Sequence, residues 1–187
     1  MTVYVVVDVE TVDTKPGPWS LISIGAEIVG TGEDECVDGA TFYSAVSRDF
    51  FQVDPATWKW WSEQEPETIK AAFFGGRGSS LVAHEFREWV VKMALGSDAY
   101  FAAAPVTFDY AHVQEWLAQE EVEDPFHYRT LDVRSLAFGL SGDTFESAWG
   151  EYRVEPTWPH HALSDASALA STLRQLLAAR TNQGVTP

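Results

Sequence analysis

Short apolar runs separated by polar and glycine-containing stretches dominate the first quarter of the chain. These runs are rich in β-branched residues and predict buried strands over residues 3–9, 21–29 and 40–46. A similar run over residues 99–103 predicts a fourth strand. The first three runs follow one another at short intervals, which favours an antiparallel start to the sheet.

Helical spacing replaces these short runs in much of the remaining chain. Phe86, Val90 and Met93 recur at intervals of three and four and predict one apolar helix face. Helices are predicted over residues 56–64, 67–74, 81–95, 108–119, 130–140 and 160–179. This order of elements indicates an α/β fold with a mixed sheet, antiparallel in its first strands and then parallel, flanked by helices.

Length and composition restrict the domain organisation and the class of protein. The 187 residues, 45% of them hydrophobic, suit a single domain, predicted over residues 1–180, followed by a disordered tail over residues 181–187. No apolar run approaches the roughly 20 residues that span a bilayer, which predicts no membrane protein. The lone cysteine, Cys36, excludes an internal disulfide and a cysteine-based zinc site, and it favours a reducing cytoplasm.

The charge of the chain is strongly acidic. Acidic residues outnumber basic residues 28 to 12, which leaves a net charge of −16 at pH 7. This balance disfavours a protein that grips long nucleic acid by releasing counterions. It is compatible with a site where divalent cations neutralise both carboxylates and a substrate phosphate.

The first predicted strand ends with two acids, Asp8 and Glu10, in the segment VVVDVET over residues 5–11. Alternation along a strand puts both side chains on one face, where two carboxylates repel each other and lose hydration. No lysine or arginine precedes Lys15 to compensate them. Hard oxygen ligands suit Mg²⁺ or Mn²⁺, so the pair predicts a metal site; a strand that simply ends in solvent is the alternative.

Two later segments add a third and a fourth acid. Asp109 stands at a predicted loop-to-helix junction, where it is either a site residue or an ordinary first-turn acid. Asp165 lies near the start of the last predicted helix, among Ala162, Leu163 and Ala166, so much of its surroundings should be packed. A carboxylate in such a place is costly without a cation.

Together these segments resemble the DEDDh exonucleases, which include ribonuclease T, oligoribonuclease and the proofreading subunits of DNA polymerases. The likeness rests on DVE at residues 8–10, FD at residues 108–109 and HHALSDA at residues 160–166, in the family's order. LISIG at residues 21–25 and LDVRSLA at residues 131–137 resemble two further family segments. The resemblance implies a ribonuclease-H-like fold and 3′–5′ exonuclease activity.

The resemblance also implies a role for each acid and for one histidine. Two Mg²⁺ ions, with Mn²⁺ as a substitute, would be held by Asp8, Glu10, Asp109 and Asp165. His160 has the spacing of the family's general base, and the adjacent His161 is the alternative; a neutral imidazole can accept a proton from water at working pH. The product would be a nucleoside 5′-monophosphate released from a single-stranded 3′ end. Many relatives are homodimers, so the resemblance also implies a homodimer.

Three further residues are candidates for holding the substrate. Trp61 lies on one predicted helical face with Trp60 and could stack on a terminal base; core packing of both tryptophans is the alternative. Phe108 flanks the third acid, and Thr11 resembles the position whose backbone contacts the terminal 3′-hydroxyl. Pro105 departs from the family, which often has asparagine there, so a hydrogen bond from that side chain is lost.

Three functions are therefore open. The first is a 3′–5′ exonuclease with RNA slightly favoured over DNA as substrate. The second is a DNA proofreading or repair exonuclease with the same chemistry. The third is a catalytically idle nucleic-acid-binding module on the same fold, and the four acids count against it because an idle site gains nothing from their mutual repulsion.

Overall fold

The computed structural model describes residues 2–17, 19–31, 38–47, 53–142 and 144–182. Within these residues six strands form one mixed sheet: β1 (Thr2–Thr11), β2 (Leu21–Thr31), β3 (Thr41–Ser47), β4 (Arg77–Gly78), β5 (Ala99–Ala103) and β6 (Leu131–Asp132). Their order across the sheet is β4-β3-β2-β1-β5-β6. β1, β2 and β3 pair antiparallel, whereas β5 joins β1, and β6 joins β5, in parallel. The predicted mixed sheet, antiparallel in its first strands and then parallel, is therefore confirmed.

Helices cover both faces of this sheet. In the described residues they are α1 (Pro55–Ser62), α2 (Pro66–Phe73), α3 (Ser79–Ala94), α4 (Val106–Gln119), α5 (Val133–Ser141), α6 (Phe145–Tyr152) and α7 (Ala162–Asn182). Asp54 caps α1 by accepting the backbone N–H of Thr57 at 2.8 Å. None of these helices is long and apolar enough to cross a membrane.

Two helices begin later than the sequence predicts. The helix predicted from residue 130 begins at Val133, because Leu131 pairs with Ala102 as part of β6 and Asp132 is the N-cap. The helix predicted from residue 160 begins at Ala162, because His160 has a φ of 59°, in the left-handed region that ends helical geometry. α7 continues through residues 181 and 182, and residues 183–187 of the predicted tail lie outside the described residues, as does Cys36.

Alternation along β1 divides the core into two layers. Val5 and Val7 face α3 and α4, where they share a buried cluster with Phe86 and Trp116. Val6 faces the other way and packs with residues of α5 and α7, among them Leu173. Burying each large apolar side chain contributes about 1.5–3 kcal/mol, so β1 is fixed from both faces. A third cluster, of Val12, Ile22, Trp61 and Ala72, lies under α1 and α2.

Candidate metal centre and nucleic-acid pocket

Asp8 and Glu10 lie near the carboxyl end of β1, the central strand. They are two residues apart, so both side chains leave the face of the sheet that α7 covers, as Val6 does. The parallel ladder between β1 and β5 ends at Val6 and Ala102. The last part of β1 therefore runs beyond β5, and its acids reach an open edge where ligands can enter.

A glycine in β2 allows α7 to begin directly against the sheet. Gly25 is the residue that pairs with Asp8. A Cβ built on Gly25 would lie 2.2 Å from the backbone nitrogen of Leu163 and 2.4 Å from the carbonyl oxygen of Ala162. Only glycine permits this approach, and it brings Asp165, in the first turn of α7, beside the acids of β1.

The structure brings three of the predicted carboxylates into one cluster and places the fourth next to it. One oxygen each of Asp8, Glu10 and Asp165 lies within 4.8 Å of the others. Asp109 comes from α4, on the opposite face of the sheet, and its Oδ1 accepts the backbone N–H of Val9 at 3.2 Å. That bond fixes Asp109 to the strand segment that carries the other two acids.

Burial raises the pKa of every acid in this group, and repulsion from neighbouring carboxylates adds to the rise for Asp8 and Glu10. The pKa of Asp8 lies well above its usual value because of burial first and then the charges of Asp109, Glu10 and Asp165. Burial, with the charges of Asp165 and Asp109, raises the pKa of Glu10 to about 8. Burial raises the pKa of Asp109 to about 7 against the opposing bond from Val9, and it also raises that of Asp165. The acids are thus poorly compensated by the protein itself.

This donor set fits divalent cations. Carboxylate oxygens are the ligands preferred by hard ions such as Mg²⁺ and Mn²⁺. Among the described residues, no lysine or arginine forms an ion pair with Asp8, Glu10 or Asp109. His160 and Arg153 partly offset the effect of burial on the pKa of Asp165. Four converging carboxylates with so little internal compensation are well suited to hold cations.

The two adjacent histidines have different environments. The ring of His160 is exposed at the rim of the acidic cluster and meets Trp60 edge-on, with ring centroids 4.8 Å apart. The ring of His161 is stacked between Tyr43 and Trp158, at centroid distances of 4.4 and 4.6 Å. Burial lowers the pKa of His161. Of the two, His160 is the ring open to a substrate and His161 is covered on both faces.

A cavity of about 390 Å³ adjoins the cluster. Its lining includes the three predicted substrate residues, Thr11, Trp61 and Phe108, together with Glu10 and Trp60. The side chains from α1 form one wall, and Phe108 of α4 contributes to the lining. The cavity is large enough for a nucleoside and has apolar ring surfaces beside a carboxylate cluster.

The predicted stacking role of Trp61 does not fit its position. Trp61 is 1% exposed and belongs to the core under α1 and α2, where its indole N–H donates to the carbonyl oxygen of Thr11 at 2.8 Å. Trp60, its neighbour, is 39% exposed and faces the cavity. The sequence could not separate the two, because both lie on the same predicted helical face. Trp61 instead holds Thr11 in place from below.

A second cavity, of about 210 Å³, adjoins the cluster on the side of α5 and α6. Asp8 and Asp165 line one part of it, and Arg134 and Arg153 line another. The guanidinium of Arg134 also lies over the ring of Trp149, 5.0 Å from its centroid. Sequence reasoning missed α6, and the packing of α6 against α5 brings both arginines to this cavity.

His112 lies one turn after Phe108 in α4 and is 1% exposed. Its Nδ1 donates to the carbonyl oxygen of Phe108 at 2.9 Å, and its ring packs on the Phe108 ring at 4.5 Å. This is the packing of a core histidine. It supports Phe108 at the cavity wall.

Comparisons with known proteins agree with this geometry. Residues 3–177 match the family model of the 3'-5' exoribonuclease Rv2179c-like domain. The chain is 24% identical over 178 residues to the 3'-5' DNA exonuclease Cap18 of Escherichia coli, an alignment that covers 92% of this chain and 90% of that protein. Both matches extend over nearly the whole chain, and both are to 3′–5′ exonucleases.

Solved structures show the same fold at low identity. The nuclease domain of 3'hExo, a DEDDh family member bound to rAMP, superimposes with a TM-score of 0.65 at 13% identity, over 98% of this chain and 92% of that chain. E. coli exonuclease I in complex with a dT13 oligonucleotide gives 0.69 at 14% identity, over 98% of this chain. The chain spans only 43% of that exonuclease I. The protein belongs to the family of 3'-5' exoribonuclease Rv2179c-like domains and has the fold of the DEDDh exonucleases.

Proposed function

We propose that this protein removes nucleotides one at a time from the 3′ end of single-stranded nucleic acid, with two Mg²⁺ ions and with RNA favoured. The observation that carries this proposal is the cluster of Asp8, Glu10 and Asp165 with Asp109 beside it, at an open edge of the sheet. When bound, two dications stabilise the attacking and leaving oxygens of an in-line displacement. Mn²⁺ is proposed as a substitute.

The chain's own residues have distinct tasks in this reaction. The four acids hold the cations, and the terminal nucleoside occupies the 390 Å³ cavity, with its base against Trp60 and Phe108. His160, exposed at the rim, accepts a proton from the attacking water. Water oxygen bonds to phosphorus, the bond from phosphorus to the upstream 3′ oxygen breaks, and that oxygen takes a proton from solvent. The products are a nucleoside 5′-monophosphate and a strand one nucleotide shorter.

The arginines beside the cluster support a short footprint on the substrate. Arg134 and Arg153 face the 210 Å³ cavity next to Asp8 and Asp165, where the backbone upstream of the scissile phosphate would pass. Two guanidinium groups beside the site fit recognition of a few linkages, in a chain whose net charge is −16. We further propose a homodimer, on the family resemblance, and a cytoplasmic location, on the single cysteine. The exonuclease domain is proposed to extend over residues 1–180.

DNA is the second candidate substrate, because the relative aligned over most of the chain is a DNA exonuclease. Discrimination between the sugars needs a contact to the 2′-hydroxyl. Thr11, at the cavity floor, donates its hydroxyl to the carbonyl oxygen of Asp13 at 2.8 Å, so its side-chain proton is already engaged. Sugar preference is therefore the part of the proposal that most needs measurement.

Matched RNA and DNA oligonucleotides of one sequence, labelled at the 5′ or the 3′ end, test the proposal. We expect mononucleotides to appear at once from the 3′ label, a ladder of shortening products from the 5′ label, and no product in the presence of a chelator. Faster release from RNA is expected. Release from the 5′ end, or full activity without divalent metal, would overturn the mechanism. Absence of hydrolysis on every single-stranded substrate would favour the idle binding module.

A further inference from the structure

The segment before α7 holds His160 in an unusual conformation. Its φ of 59° places a residue other than glycine in the left-handed region, a conformation that costs free energy and persists only when the surroundings impose it. His160 itself is exposed, so the restraint must come from its neighbours. The next residue, His161, has the contacts that can supply it.

The backbone of His161 is joined to Asp165 in both directions. Its N–H donates to Oδ2 of Asp165 at 3.1 Å, and its carbonyl oxygen accepts the N–H of Asp165 at 3.1 Å. Its ring Nδ1 accepts the N–H of Ser164 at 3.4 Å, in the way that an N-cap side chain satisfies the first turn of a helix. His161 thus begins α7 and orients the carboxylate that belongs to the acidic cluster.

Two aromatic rings clamp the His161 side chain, and α2 holds both of them. Tyr43 stacks on one face with an interplanar angle of 25°, and Trp158 on the other with 20°. The Tyr43 hydroxyl donates to the carbonyl oxygen of Ala71 at 3.1 Å, and the Trp158 indole N–H donates to Oγ1 of Thr68 at 3.0 Å. Because Thr68 is 5% exposed, this anchor is shielded from water.

We propose that His161 is a positioning residue for hydrolysis. Its clamped ring and its cap of α7 hold Asp165 against the β1 acids and keep the adjacent His160 aimed at the substrate. This inference rests on the proposed function of His160 and Asp165. It assigns to His161 a task distinct from proton transfer, since both faces of its ring are covered and its Nδ1 is engaged with Ser164.

Substitutions of His161 separate its two contacts. His161→Phe keeps a ring for the clamp and removes the cap acceptor, whereas His161→Asn keeps a cap acceptor and removes the ring. His161→Ala removes both. His84→Ala, on the exposed surface of α3, is the matched control. For each variant we would measure kcat and KM on a single-stranded oligonucleotide, Mn²⁺ affinity without substrate, and the thermal melting temperature.

We expect His161→Ala to lower kcat by about 10- to 100-fold, the scale of small misplacements of catalytic groups, while KM changes little. Mn²⁺ binding should weaken because Asp165 is no longer fixed, and the Phe and Asn substitutions should each recover part of both losses. His160→Ala should lose kcat further and keep Mn²⁺ affinity. A folded His161→Ala variant with normal kcat and normal Mn²⁺ affinity would refute the proposal.

A further variant covers the case in which His161→Ala does not fold. Thr68→Val leaves the whole site intact and removes the hydroxyl that anchors Trp158, so it should give a smaller loss of kcat and of Mn²⁺ affinity in a folded protein. Unchanged values there, together with no difference between the Phe and Asn substitutions, would also refute the proposal. If the unaltered protein bound Mn²⁺ but hydrolysed nothing, the proposed function would fail, whereas the Mn²⁺ comparison would still test the positioning of Asp165.

Discussion

Two glutamates on neighbouring strands of the sheet, Glu10 and Glu27, are equally buried, at 8% exposure each. Glu27 of β2 accepts a hydrogen bond from the guanidinium of Arg174 of α7 at 2.7 Å, and that group also reaches Asp38 and the carbonyl oxygen of Ile28. Glu10 of β1 has no basic partner among the described residues, and its burial, with the charges of Asp165 and Asp109, raises its pKa to about 8. The same type of residue thus has opposite surroundings.

The contrast shows how to distinguish a structural acid from a functional one. Glu27 is compensated by Arg174, so its charge joins α7 to the sheet. Glu10 should lower the free energy of unfolding of the metal-free protein, because burial and the charges of Asp165 and Asp109 disfavour its ionised form. A local conflict of this kind is expected where a ligand completes the site.

Asp8→Asn is the change expected to have the largest effect on activity. Loss of one central ligand should lower metal-dependent hydrolysis by about 10³-fold or more, as measured by mononucleotide release. The same change should raise the free energy of unfolding of the metal-free protein, because one of the repelling charges is gone.

Glu27→Gln is the matched control for Asp8→Asn. It should lower the free energy of unfolding by about 1–3 kcal/mol, because the guanidinium of Arg174 loses a charged partner, and it should leave hydrolysis unchanged. If both substitutions destabilised the protein to the same extent, the distinction between a compensated and an uncompensated acid would be wrong.

Gly25→Ala tests whether the acidic cluster depends on the approach of α7 to the sheet. The added methyl group would lie 2.2–2.4 Å from backbone atoms of Ala162 and Leu163, so the start of α7 must move. We expect a loss of about 1–3 kcal/mol in the free energy of unfolding and about a 10²-fold loss of rate. Gly142→Ala, at an open helix end, costs stability through its φ of 67° but should leave the rate intact. Normal activity of the Gly25 variant would contradict this account.

The pH dependence of stability gives a further test of the uncompensated acids, with a smaller expected effect than the substitutions. The pKa of Glu10 rises from 4.5 to about 8, and that of Asp109 from 3.8 to about 7, so the folded metal-free protein binds more protons than the unfolded chain between about pH 4 and pH 8. Stability of the metal-free protein should therefore fall as pH rises through this window. Urea unfolding at pH 5 and pH 8 with a chelator measures this change.

Mg²⁺ should reverse the decline, because cations bind the ionised carboxylates. At a concentration of 100 times its dissociation constant, Mg²⁺ should add about 2.7 kcal/mol to the free energy of unfolding at pH 8, and less at pH 5. Glu10→Gln should reduce both effects, whereas Glu27→Gln should not. A metal-free protein that is equally stable at pH 5 and pH 8 would show that the acids are better compensated than their geometry indicates.

The sequence was sufficient to predict the order of the main elements and the acids that converge. Asp8 and Glu10 stand out because an acid pair interrupts a run of valines, and the apolar neighbours of Asp165 predict its packed surroundings. The strands β4 and β6 have two residues each, too few for a recognisable pattern. The helix α6 has only eight residues and one buried side chain, that of Ala148, and it was missed together with the position of Arg153.

Contacts between distant segments account for the remaining errors. Trp60 and Trp61 share one predicted helix face, and only the core formed with Val12 and Ile22 decides which ring is covered. The left-handed conformation of His160 could not be predicted, because position 160 is neither glycine nor asparagine, the residues that favour this conformation. Its cause lies in rings from β3 and from the loop before α7, which sequence periodicity does not bring together.

The hydrogen bond from Val9 to Asp109 links the sheet to the helices on one of its faces. Asp109 belongs to the helices on one face of the sheet, and Asp165 to those on the other, yet both meet at the end of one strand. A cation shared among these acids would join two helical layers that the sheet otherwise separates. Binding of the cation should therefore both activate the enzyme and make the packing of the two helical layers on the sheet more rigid, and removal of the cation should reverse both effects.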